Sequence, residues 1–134
     1  MRNRGLFDYR LALVLAVLGG AALIPMTAAS RLPTPVREIR LVARQMTYYR
    51  EGSNIPNPTL LVRRGEQVRI VLRNNDPGLI HDLGIDAWRV RTELLDEKSR
   101  SEGVIQFQAP EAPADVSYSC TPHGQMMRGT IRVE

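Results

Sequence analysis

Cysteine and histidine are scarce in this chain of 134 residues, and they gather where two methionines also lie. There is one cysteine, Cys120, and there are two histidines, His81 and His123. Cys120, His123, Met126 and Met127 fall within eight residues of one another, and Met126 and Met127 are two of five methionines. A thiolate, an imidazole and a thioether make a soft donor set. In a trigonal arrangement with a weak axial thioether, such a set suits copper moving between its two oxidation states. A second imidazole is needed, and His81 is the only histidine left to supply it. The inventory then closes on His81, Cys120, His123 and one methionine.

The surrounding pattern says how these donors must be held. Val116, Tyr118 and Cys120 alternate with Ser117 and Ser119, which places the first three on one face of a strand. Pro122 has no N–H for a ladder and ends that strand. A short loop carries His123 to Met127. Gly129 reads as a tight exit, and Thr130–Val133 as a closing strand with Ile131 and Val133 inward. Two strands joined by a donor-bearing loop give a metal a rigid frame.

The run Cys120-Thr121-Pro122-His123, followed by Met126, Met127, Arg128 and Gly129 and an alternating strand, resembles the copper loop of the cupredoxins. It is most similar to that of amicyanin, pseudoazurin and plastocyanin. Residues 73–82, from Arg73-Asn74-Asn75-Asp76-Pro77-Gly78 to His81-Asp82, resemble the segment that brings the first histidine in those proteins. The resemblance is good from Gly65 to Glu134 and weak from Val36 to Arg64. It implies a Greek-key β-sandwich with one type 1 copper ion held by His81, Cys120, His123 and a methionine. It also implies an exposed edge of His123 through which electrons pass. The axial methionine stays open. Amicyanin's loop spacing selects Met126, whereas the start of the last strand selects Met127, which is preferred because strand register is more constrained than loop length. Asp82 departs from the family, where an asparagine commonly follows the first histidine. A carboxylate accepts hydrogen bonds but cannot donate unless protonated.

Bland readings compete at each position. A lone cysteine is often a buried structural thiol, and a lone histidine on a strand is often a satisfied core residue. Tyr118, Trp88 and Met46 read as core. A thiol enzyme built on Cys120 and His123 lacks an evident orienting third residue. A dinuclear copper centre needs two cysteines, and the chain has one.

Residues 1–10 carry Arg2, Arg4 and Arg10 against Asp8, and Leu11–Met26 is free of charge. A basic start and an apolar run read as an export signal, with Thr27-Ala28-Ala29 offering small residues for cleavage. Counted to Ser30, the run just reaches the span of about 20 residues that crosses a bilayer, so residues 1–29 suit a cleaved signal or a retained anchor. Either way the arginines stay inside and the remainder lies outside the cytoplasm. That location is periplasmic or otherwise extracytoplasmic, tethered to the inner membrane if residues 11–29 are retained. Residues 30–35, with Pro33 and Pro35, form a linker, and residues 36–134 form one small domain. Its core is modest, and one cysteine allows no internal disulfide. Bound metal explains an unpaired cysteine in an exported protein.

The whole chain carries a formal +4, and removal of residues 1–29 takes away three Arg and one Asp, leaving +2. That bias, with 5% aromatic residues, argues against nucleic acid as a partner. Gln67–Arg73 alternates cleanly, and Asn75–Gly78 is strong turn chemistry. Val36–Met46 reads as a strand with a break that Thr47–Tyr49 continues. Leu60–Val62, Leu79–Ile85 with His81, and Val104–Phe107 read as further strands, and residues 96–103 as loop. Trp88–Leu95 is ambiguous between strand and short helix. Seven or eight short strands separated by Gly/Pro turns indicate an all-β sandwich. The expected function is one-electron carriage between redox partner proteins by a monomer that is not an enzyme. The alternative is copper binding and delivery without electron transfer.

Overall fold

The computed structural model describes residues 35–134. The readings of residues 1–29 as a signal or anchor, and of residues 30–34 as linker, fall outside it. Among the described residues no helix is long and apolar enough to cross a membrane.

Among the described residues nine strands form two mixed sheets. The first has the order β2-β1-β4-β7, built from β1 (Val36–Arg44), β2 (Thr47–Arg50), β4 (Gln67–Asn74) and β7 (Glu102–Gln108). β4 is its centre, running parallel to β1 and antiparallel to β7. The alternation of β4 sends Val68, Ile70 and Leu72 inward, each essentially inaccessible. The second sheet has the order β3-β9-β8-β5-β6: β3 (Leu60–Val62), β9 (Arg128–Val133), β8 (Ala114–Ser119), β5 (Gly84–Ile85) and β6 (Val90–Arg91). A single 3-10 turn, Asp86–Trp88, joins β5 to β6.

Inward side chains of both sheets form one core. Ile39, Leu41, Ile70, Leu72 and Ile105 come from the first sheet, and Leu60, Val62, Ile85, Ile131 and Val133 from the second. Each large apolar side chain so buried contributes about 1.5–3 kcal/mol against remaining exposed. Tyr48 and Tyr118 meet across the core with ring centroids 5.3 Å apart, and the Tyr118 hydroxyl donates to the Pro58 carbonyl at 2.6 Å. Burial pushes both phenols' pKa values up, so they stay donors. Trp88 and Met46 are only partly buried, at the margin of that core.

Two readings of the sequence change. β1 and β2 are a hairpin and not one interrupted strand, with Arg44 opposite Thr47. The break is a turn at Gln45 and Met46, whose φ values are 52° and 51°. Positive φ at both central residues suits a two-residue hairpin, because it matches the right-handed strand twist. The segment Leu79–Ile85 contributes only Gly84–Ile85 to a strand. His81 instead forms an isolated bridge with Leu95, its N–H donating to the Leu95 carbonyl at 3.0 Å and Leu95 N–H returning at 2.7 Å. Beside this bridge the Asn74 side-chain amide donates to the carbonyls of Leu79 and Leu95, each at 2.8 Å, and ties the His81 segment to the end of β4. β7 also begins two residues earlier than the alternation of Val104–Phe107 suggests.

Candidate metal centre

Cys120 follows the last residue of β8 and is buried. Its N–H donates to the Met127 carbonyl at 3.1 Å, which closes the neck of the loop. Inside the neck, the His123 carbonyl accepts from Met126 N–H at 3.0 Å and Met127 N–H at 2.9 Å. These bonds turn the loop tightly and separate the two methionines. Met127 is fully buried beside Cys120 in the core cluster, whereas Met126 is 52% exposed.

His81 lies just before β5, which neighbours β8 in the same sheet. A turn places it: Asp76 carbonyl accepts from Leu79 N–H at 3.2 Å, with Pro77 and then Gly78 at φ 75° between them. Pro followed by a residue of positive φ is the pattern of a type II turn, which is why glycine stands there. His81 is fully buried.

The three side chains converge. Cys120 Sγ lies 3.7 Å from His81 Nδ1 and 3.7 Å from His123 Nδ1, and the two Nδ1 atoms are 3.1 Å apart. The donor atoms all fall within 4.8 Å of one another. Three of the residues expected as donors thus meet, across 39 positions of chain in the case of His81 and Cys120. Burial lowers the His81 pKa, against the opposing pull of Asp76, so the ring is neutral and free to donate a lone pair. Burial raises the Cys120 pKa, partly offset by the backbone N–H groups of Asp82 and His123. A cation reverses that sign, since a coordinating thiol is deprotonated outright.

Two carboxylates brace the cluster: Asp82, which the sequence marks as a departure from the family's asparagine, and Asp76, which it marks only as part of a turn. Asp76, read only as turn chemistry, accepts from His81 Nε2 at 2.8 Å. Asp82 ties the two donor segments together. It accepts from Thr121 N–H at 2.6 Å, from Thr121 Oγ1 at 2.7 Å and from Arg91 Nη1 at 2.9 Å. Burial works to raise Asp82, but Thr121 and Arg91 outweigh it and hold its carboxyl below the usual range. The missing amide donor of the family's asparagine is thus met by a partner that brings its own donors: Arg91 Nη1 also reaches Thr121 Oγ1 at 2.6 Å. Arg91 lay in the stretch read as ambiguous, and no local pattern marked it.

Two imidazoles, a buried thiol and a buried thioether fit one type 1 copper ion. The class of the domain follows from fold and site together: it is a cupredoxin-like sandwich. No protein-family model matches the chain, and no curated protein matches it. Solved structures do. Reduced rusticyanin aligns with a TM-score of 0.59 and 19% identity, over 74% of this chain and 79% of its own. Auracyanin A, a "blue" copper protein from the green thermophilic photosynthetic bacterium Chloroflexus aurantiacus, aligns with a TM-score of 0.55 and 17% identity, over 75% of this chain and 100% of its own. A chain of a heme-copper terminal oxidase dimer aligns with a TM-score of 0.58 and 17% identity, over 76% of this chain and 66% of its own.

Proposed function

We propose that this protein is an extracytoplasmic copper protein that carries single electrons between redox partners, with His81, Cys120, His123 and Met127 as the ligands. The convergence of His81 Nδ1 and His123 Nδ1 on the Cys120 sulfur carries this reading. Copper held there would supply one-electron redox chemistry. The chain's own residues do the rest. The tight loop fixes the Cys120 and His123 donors, and the burial of Met127 supports it over Met126 as the axial thioether. His123 is the half-exposed donor, in a surface recess with Pro122, Gly124 and Met126. Its outer edge is the path by which a docked partner exchanges electrons, and such encounters bury little area. With four protein donors, no ligand position is left for a substrate, so the role is carriage and not catalysis. The basic and apolar pattern of residues 1–29 supports export, with a retained anchor as the variant of it.

Copper delivery is a second reading, favoured by one observation: the thioether of Met126 is exposed beside His123. The test separates the two. Cu(II) added to the purified protein should give an intense visible band that titrates reversibly by one electron. Cys120→Ser and His81→Ala should each abolish it. A band that survives either change removes that residue from the site. Loss of copper to an acceptor without electron exchange supports delivery instead.

A further inference from the structure

Among the described residues Asp76 is the one carboxylate that touches a donor ring, and its own placement is overdetermined. Its Oδ2 lies 2.8 Å from His81 Nε2 and accepts from Met46 N–H at 2.8 Å. Its Oδ1 accepts from Gln45 N–H, and its own N–H donates to Asn74 Oδ1 at 2.9 Å. The β1–β2 turn thus aims two backbone donors at the carboxylate, and its positive φ values at Gln45 and Met46 put them there. Side-chain exposure is 9% for Asp76 and 0% for His81. The other buried carboxylate, Asp82, is neutralised by Arg91. Among the described residues the only ion-pair partner of Asp76 is His81. One buried negative charge therefore stands behind the site, joined to it through an imidazole.

We propose that Asp76 is a positioning residue for the metal centre: from the hairpin turn its carboxylate holds the proton of His81 on Nε2, presents Nδ1 to Cys120 and His123, and favours the oxidised state of a bound copper ion. This rests on the copper reading above. An acceptor on the far nitrogen fixes a histidine's tautomer and raises its basicity as a ligand. A buried, uncompensated carboxylate also favours the state that carries one more positive charge.

Two measurements test it. Nitrogen-15 spectra of the metal-free wild-type protein should show neutral His81 with its proton on Nε2. Redox titration of the copper-loaded protein should show that Asp76→Asn, which keeps an acceptor but loses the charge, shifts the oxidised-to-reduced equilibrium about tenfold towards the reduced state. That is a rise of about 59 mV for a one-electron couple. Asp76→Leu, which removes the acceptor, should leave His81 as a mixture of tautomers. A residue that merely braces the turn would leave the potential of Asp76→Asn unchanged. An unchanged or lowered potential overturns the proposal, and so does a His81 proton found on Nδ1. The tautomer measurement needs only wild-type protein, so it decides even where a variant does not fold. If copper gives the wild-type protein no visible band, the copper reading fails and the redox half of the proposal with it, whatever the tautomer.

Discussion

At the scale of single residues, the adjacent methionines differ by burial and not by chemistry. Met127 belongs, with Cys120, to the core cluster and has no exposure, and Met126 faces solvent. Met127→Leu should therefore move the reduction potential of the copper-loaded protein while Met126→Leu leaves it nearly unchanged; the reverse result would exchange the ligand. Asp82 and Arg91 form a pair whose members are 3% and 34% exposed. Breaking a fully buried pair costs about 3–5 kcal/mol, and partial exposure of the guanidinium screens part of that. Arg91→Ala should destabilise the metal-free protein by about 2 kcal/mol in a denaturant titration. The pH dependence has a defined sign. Asp82 is held below its ordinary range, so its stabilisation is fully present above the unfolded value of about 3.9 and is lost as pH falls through the lower folded value. Between pH 6 and pH 3 the wild-type midpoint should fall more steeply than that of Asp82→Asn.

At the scale of elements, the β1–β2 hairpin and the β8–β9 pair hold the site from opposite sides. Gln45 is exposed and has φ 52°, a conformation that costs most side chains about 1–2 kcal/mol and asparagine less. Gln45→Asn should stabilise the protein by about 0.5 kcal/mol, read from its unfolding midpoint, while its backbone N–H keeps its bond to Asp76. Gly129 stands where the sequence suggested a tight exit from the loop. Its actual role is space: it pairs with Tyr118, and an added Cβ would lie 2.2 Å from the Tyr118 ring. Gly129→Ala should displace that ring, break its hydrogen bond to Pro58 and cost about 1–3 kcal/mol, the range for overpacking.

At the scale of the whole molecule, about 100 residues without a disulfide enclose one core between two sheets, and the metal site closes one edge of it. Cys120 and Met127 belong to that core cluster, so copper binding and folding are linked. A ligand at 100 times its dissociation constant stabilises the folded state by about 2.7 kcal/mol. Removal of copper with a chelator should lower the melting temperature, and His81→Ala should erase the difference between the copper-loaded and metal-free forms.

The local chemistry was legible from the sequence. The count of cysteine and histidine restricted the donors, and strict alternation in Gln67–Arg73 and Val116–Cys120 gave the strands and their inward faces, because a pleated strand has a period of two. Proline, glycine and the Asn-Asp-Pro-Gly run gave the turns. The hairpin at Gln45–Met46 escaped because neither residue is a usual turn former, and its conformation is supported by Asp76, 30 positions away. His81 pairs only as an isolated bridge with Leu95, in a segment held by the side chain of Asn74, a contact that no local pattern shows. The same limit hid Arg91 and Asp76 as partners of the site. Donor identity is a property of composition and local spacing, whereas the burial that separates the two methionines, and the charge that stands behind His81, depend on which distant groups the folded sheets bring together.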